Sequence, residues 1–254
     1  MRAVGAYYNE IDPYAAEWLR NLIKAGHIAD GEVDTRSIVD VTHDELRGFT
    51  QCHFFAGIGG WSHALRLAGW SDTRPIWTGS CPCQPFSVAG KGAGADDPRH
   101  LWPHFHRLIT AVRPPVVMGE QVAGAAGREW FDTVSNDLET DHYIVRAVDI
   151  PALAVGAKHL RSRLYWIAAN TQRDKQSWDK SCGGEAGRMG WVQQSFPWDI
   201  DWESALSKLR ALDDGVPRRV GATDAARNAI VPPLAAEVIR AFMEIEGDWS
   251  CTAS

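Results

Sequence analysis

Two periods of apolar residues run through the chain. Short, nearly continuous apolar runs of strand length alternate with stretches whose apolar residues recur at three- and four-residue spacing. Residues 3–9 predict a strand, after which Asp12 and Pro13 open a helix that Gly26 closes. On that helix Ala15, Trp18, Leu19, Leu22 and Ile23 share one face, which predicts that this face is buried. A short strand is expected at 38–41. Then QCHFFAGIGGWSHALRLAGW (51–70) predicts an apolar strand, a glycine-rich turn and a helix ended by Gly69. Residues 75–80 predict a strand that runs into CPCQPFS (81–87), followed by a glycine-rich loop, GKGAGADD (90–97), and a helix begun by Pro103. A buried strand is expected at 114–122, a helix around 128–139, strands at 143–149 and 163–169, and a closing helix at 232–245.

Strands alternating with helices, with apolar runs such as PVVMG and LYWIAA, predict an α/β fold on a doubly wound, mostly parallel sheet. Residues 170–220 break the rhythm, being rich in Trp, Gly, Asp and Arg without periodicity. The expected division is a main domain over 1–169, a small irregular module over 170–222, and a C-terminal segment over 223–254 that returns to the main domain.

Composition narrows the class. With 254 residues, 45% of them hydrophobic, the chain can bury a sizeable core. No apolar run approaches the roughly 18 residues of a membrane helix, and Glu10, Asp12 and Glu17 interrupt the N-terminus, so a cytoplasmic protein is expected. Five scattered cysteines favour reduced thiols over a disulfide framework. The net charge of -6 argues against wholesale coating of nucleic acid, yet the charge is uneven. Lys158, Arg161, Arg163, Arg173, Lys175, Lys180 and Arg188 form a basic stretch that suits phosphates or simply a solvated surface.

Three places carry candidate chemistry. FAGIGG sets Gly57, Gly59 and Gly60 between a strand and a helix, where a backbone without side chains lets a ligand approach; a tight turn explains it equally. A nucleotide-type ligand also calls for a carboxylate at the end of a neighbouring strand. The residues after Gly60 offer only Asp72, in a turn, whereas Glu10 follows a strand and precedes a capped helix. Cys83 stands between two prolines at a strand end, a rigid setting for a nucleophilic thiolate, although many such cysteines are small buried hydrophobes. A metal set of Cys81, Cys83, His100, His104 and His106 lacks a second cysteine pair, and no metal is expected. Glu120 ends an apolar strand, where partial burial would favour its protonated form.

FAGIGG, PCQPFS, EQV, HLRSR (159–163) and RNAIVPPLAAEVI (227–239) together resemble, in this order, the motifs of DNA cytosine-5 methyltransferases, including members encoded by phages or prophages. The resemblance implies a fold of the S-adenosylmethionine-dependent, Rossmann-like type, that cofactor, and double-stranded DNA as partner of a monomer. It implies Cys83 as the nucleophile toward cytosine C6, Glu120 at N3 and N4, Arg163 at O2 and Arg161 in support. Gln84, Ser87, Lys91 and Arg99 would face DNA from the loop that follows. For the cofactor it implies Phe55, Gly57, Ile58, Gly59, Gly60 and Asn228, with NEIDPYAAEW resembling the family's second motif, Glu10 on the ribose and Ile11 against the adenine. RSIVDV (36–41) resembles the third, with Ile38 near the ring and Ser37 where an Asp is usual, which implies a hydrogen bond to the adenine amine that is either weakened or supplied by Asp34.

In the family's usual order those two motifs follow the glycine turn; here they precede it. Strand order in the sheet builds a site, so a permuted chain is expected to form the same site provided its crossovers stay right-handed. His53, Gln121, His159 and Arg227 are further departures. RNA cytosine methylation and a catalytically silent DNA-binding relative are the alternatives. Intact Cys83, Glu120 and Arg163 weigh against the latter.

Overall fold

The computed structural model describes residues 4–82, 100–155, 162–172 and 230–251. Among these, seven strands form one sheet in the order β2-β1-β3-β4-β5-β7-β6. They are β1 (Val4–Asn9), β2 (Gly31–Asp34), β3 (Phe49–Phe54), β4 (Ile76–Gly79), β5 (Val116–Val122), β6 (Tyr143–Pro151) and β7 (Ser162–Asn170). Every pairing from β2 across to β5 is parallel, while β7 runs against both of its neighbours. Helices α1 (Pro13–Lys24), α2 (Gly60–Ala68), α3 (Trp102–Val112), α4 (Ala125–Thr140) and α5 (Pro232–Cys251) cover it, giving the expected doubly wound, mostly parallel α/β fold. Among the described residues no helix is long and apolar enough to cross a membrane.

Local signals act as the sequence suggests. Asp12 caps α1 by accepting the Ala15 N–H at 2.8 Å, and Gly69, at φ +84°, closes α2 in the left-handed conformation that glycine adopts without penalty. Two expectations need correction. The strand expected at 38–41 lies instead at Gly31–Asp34, and Ile38 and Val41 belong to a turn whose side chains pack under the sheet. Gly31 is demanded there because a Cβ would come within 1.8 Å of the Ala6 carbonyl oxygen. On α1 the buried arc is Ala15, Ala16 and Leu19, whereas Trp18 is 44% exposed and lies beside Tyr14.

Alternate strand residues feed two cores. On one face Tyr7, Cys52, Phe54, Trp77 and Val117 meet α3, α4 and the turn bearing Ile38, Val41 and Leu46. On the other, Tyr8 meets α1, and Ile76 and Met118 meet α2 and α5.

This division fixes the relative hand of the parallel crossovers. The β1–α1–β2 unit steps toward the β2 edge over the α1 face. The β2-to-β3 connection and β4–α3–β5 step the opposite way over the opposite face, so all three share one hand. The β3–α2–β4 unit steps as β4–α3–β5 does, yet on the α1 face, and has the other hand. Since about 98% of such crossovers are right-handed, α2 makes the left-handed one, so the condition that a reordered chain keep right-handed crossovers is not met at this one connection. Had α2 led into β1, its crossover would have had the common hand.

Candidate active site

Strands β1 and β3 are neighbours, and their helices lead away in opposite directions, α1 toward β2 and α2 toward β4. The carboxyl ends of β1 and β3 therefore flank a topological switch point, where open α/β sheets bind ligands. Glu10 follows β1 and Gly57 follows β3. The Gly57 N–H donates to Glu10 Oε2 at 2.7 Å, and the Asp12 N–H donates to Glu10 Oε1 at 2.9 Å. A carboxylate offers about four acceptor positions, so these two bonds leave capacity for further donors such as ribose hydroxyls. Gly57 has φ +53°, and a Cβ built on it would meet nothing within 4 Å, so open space faces the glycine. Ile11, beside Glu10, is 64% exposed. Spare acceptors, an open glycine and an exposed apolar side chain fit a nucleoside with a free diol.

Buried Asn9 braces this corner. Its side chain donates to the Arg36 carbonyl at 2.9 Å, and its own carbonyl accepts the Ala56 N–H at 3.0 Å, tying the ends of β1, β2 and β3 together. The other predicted cofactor residues divide. Phe55, at φ +51°, and Ile58 lie half-buried on the same turn. Gly59 and Gly60 have packing reasons of their own, since added Cβ atoms would stand 3.2 Å from Leu19 and 2.7 Å from Ile230. Ile38 is a core residue, buried with Tyr7 and Val41. Burial would raise the Asp34 carboxyl, but bonds from Arg36 and the Tyr7 hydroxyl outweigh it and hold that group below the usual range. Asp34 is thus engaged within the protein. Asn228 lies outside the described residues.

The chemical half occupies the same edge of the sheet. β4 ends in Gly79 and leads to Ser80, Cys81 and Pro82; Cys83, Gln84, Ser87, Lys91 and Arg99 lie outside the described residues, as does Arg161. Buried Gln121 donates to the Cys81 carbonyl at 3.0 Å and accepts the Val122 N–H at 2.9 Å, fastening the end of β4 to β5. Trp61 of α2 donates its indole N–H to Ser80 Oγ at 3.0 Å.

Glu120 and Arg163 meet across antiparallel β5 and β7. The register pairs Glu120 with Tyr165 and Val122 with Arg163, which makes Glu120 and Arg163 diagonal neighbours on one side of the sheet. Arg163 Nε lies 2.6 Å from Glu120 Oε1, with side chains 22% and 8% exposed. A carboxylate this buried requires such a partner.

Two thiols are set aside by burial. Cys81 is buried, and the Cys52 thiol is pushed far up by desolvation, which keeps it protonated. His53, behind the glycine turn, is wholly buried, bonds Thr78 Oγ1 at 2.8 Å and stacks on Tyr8; desolvation lowers its pKa to about 3. Of the histidines weighed as metal ligands, His104 and His106 lie on α3, where His106 bonds Asp141 at 2.9 Å. Among the described residues no group of three metal-binding side chains converges. Sequence reasoning missed Asn9, Trp61 and Ser80, whose roles come from contacts between separate elements.

A doubly wound sheet with a carboxylate and a glycine turn at its switch point, and a carboxylate–arginine pair on the same edge, has the form of the α/β sheets that take a nucleotide-type ligand at this place. The profile of the C-5 cytosine-specific DNA methylase family matches residues 72–210, more than half of the chain, and the chain belongs to that family. It is 29% identical over 188 residues to the type II methyltransferase M.XorII of Xanthomonas oryzae pv. oryzae, covering 67% of this chain and 39% of that one. To M.NaeI of Lentzea aerocolonigenes it is 28% identical over 177 residues, covering 68% and 42%. The chain thus spans about two fifths of the length of these relatives.

Proposed function

We propose that the protein transfers a methyl group from S-adenosylmethionine to C5 of cytosine in double-stranded DNA. The observation that carries this reading is the placement of Glu10, Gly57, the strand end leading to Cys83, and the Glu120–Arg163 pair on one edge of one sheet, in a chain of this family. The cofactor, when bound, supplies an electrophilic methyl group. Glu10 would accept from its ribose hydroxyls, Ile11 would lie against its base, and Phe55, Gly57, Ile58 and Asn228 would hold its adenosine and methionine parts.

The Cys83 thiolate adds to cytosine C6, which makes C5 a carbon nucleophile able to take the methyl group. Loss of the C5 proton and expulsion of the Cys83 thiolate then restore the aromatic ring. Glu120 contacts N3 and N4, Arg163 holds O2, and Arg161 supports them; the ion pair keeps both side chains aimed at one ring. The base must leave the stack for Cys83 to reach it, at a cost of about a few kcal/mol. Gln84, Ser87, Lys91 and Arg99 face the DNA, and residues 170–222 supply target recognition.

The order of elements supports a permuted member. The left-handed α2 crossover acquires the common hand once the chain is reconnected so that α2 leads into β1, which is the family's usual order.

The test is transfer of a labelled methyl group from S-adenosylmethionine to duplex DNA and to tRNA, with wild type beside Cys83→Ser. Transfer to DNA that disappears in the serine variant is expected. A serine variant as active as wild type rules the mechanism out, and transfer to tRNA alone moves the substrate to RNA. Bisulfite sequencing of DNA from expressing cells reads the target sequence.

A further inference from the structure

Trp61 occupies an unusual position between the two halves of the site. It stands one residue past Gly60 in the first turn of α2, so it follows directly from the glycine turn. Its ring is 4% exposed, lies within the apolar core beneath α2 and α5, and meets Tyr165 edge-on at 6.1 Å. Tyr165 is the residue paired with Glu120 across β5 and β7. Its indole N–H donates to the hydroxyl of Ser80, three residues before Cys83.

Apolar filling alone does not account for this residue. A phenylalanine would occupy much of the same core without a donor, whereas a buried indole N–H calls for an acceptor. The chain places a hydroxyl at position 80 to receive it, on a half-buried residue at the end of β4. Gln121 grips the neighbouring Cys81 carbonyl from β5, on the other side of the same strand end. The start of the cysteine-bearing segment is therefore held from two elements, and one of the two holds comes from the helix of the cofactor turn.

We infer that Trp61 is a positioning residue for methyl transfer: through Ser80 it fixes the approach to Cys83 relative to the glycine turn that receives the cofactor. The inference rests on the methyltransferase reading above. It separates alignment from binding, because Glu10 and Gly57 are joined without Trp61. A misplacement of about 1 Å at a reacting group can cost on the order of a hundredfold in rate.

The experiment compares Trp61→Phe, Ser80→Ala, the double variant and Ser80→Thr in the full chain. Labelled methyl transfer to unmethylated genomic DNA gives kcat, calorimetry gives the Kd for S-adenosylmethionine, and thermal unfolding gives Tm. Each single variant is expected to lower kcat about tenfold with Kd held within about twofold, and the double variant to lose no more than either alone, as two residues acting through one bond must. Ser80→Thr, which keeps the hydroxyl, is expected to recover most of the rate. If wild type transfers methyl groups and the singles match it, or if their losses multiply in the double variant, the inference is overturned while the enzyme reading stands. A wild type without transfer overturns the enzyme reading itself. Should Trp61→Phe fail to fold, Ser80→Ala carries the test, since it removes only a hydroxyl.

Discussion

Gly57 donates its backbone N–H to Glu10 Oε2 at 2.7 Å, across 47 positions of sequence. The bond joins the ends of β1 and β3 and aims a carboxylate at the open space beside a glycine. Replacing Glu10 by alanine removes a charged acceptor that fits ribose hydroxyls. S-adenosylmethionine affinity, read by calorimetry, is expected to fall about 10- to 100-fold, as for loss of hydrogen bonds to a charged group. An unchanged affinity would take Glu10 out of the cofactor site.

Gly57 and Gly60 should fail in different ways. Alanine at 57 meets no atom within 4 Å but must adopt φ +53°, so it obstructs the open space at a cost to stability of about 1 kcal/mol. Alanine at 60 drives a methyl to 2.7 Å from Ile230, and overpacking of this kind costs about 1–3 kcal/mol. Calorimetry and urea unfolding together should show Gly57→Ala weakening cofactor binding and Gly60→Ala lowering stability. The reverse pattern would exchange their roles.

Arg163→Ala removes the ion-pair partner that lies 2.6 Å from Glu120, whose side chain is 8% exposed. Loss of one partner from a buried pair costs about 3–5 kcal/mol, and the 22% exposure of Arg163 places this case near the lower end. Urea unfolding should show Arg163→Ala more destabilised than Glu120→Gln/Arg163→Met, which leaves no buried charge. Equal destabilisation would mean that the ion pair is not what holds this corner.

His53 makes stability depend on pH. Its pKa is lowered to about 3 in the fold against an ordinary value of about 6.5, so below pH 6.5 the unfolded chain binds a proton that the folded chain refuses. The unfolded state then binds more protons, and stability falls as pH falls, by about 1.4 kcal/mol per pH unit. Above pH 6.5 the contribution of His53 is constant. Between pH 7 and 5 the Tm of wild type should fall more steeply than that of His53→Gln; parallel declines would show that other groups set the acid sensitivity.

The sequence disclosed most of what depends on neighbours in the chain. Asp12 with Pro13, Gly69 and the apolar run at β5 marked their elements because capping, left-handed turns and burial leave local traces. The edge strand Gly31–Asp34 left none, since it pairs on one side only and shows no fully buried residue. Trp18 looked like a core residue by spacing but sits past the edge of the buried arc. Within the site, Glu10 was legible through what the glycine turn lacked. The Trp61–Ser80 and Gln121–Cys81 bonds span 19 and 40 positions and exist only once the sheet has brought their elements together.

The position of β1 and β2 ahead of β3 also sets a timetable for synthesis. Chains emerge from the ribosome N-terminus first and begin to organise as they do. By the time α2 has been added, the nascent chain holds β1, α1, β2 and β3, and with them both Glu10 and Gly57. β4 and the cysteine beyond it are still unmade. The stretch that joins Glu10 to the glycine turn is thus present in the growing chain before the strand end that leads to the cysteine has been made.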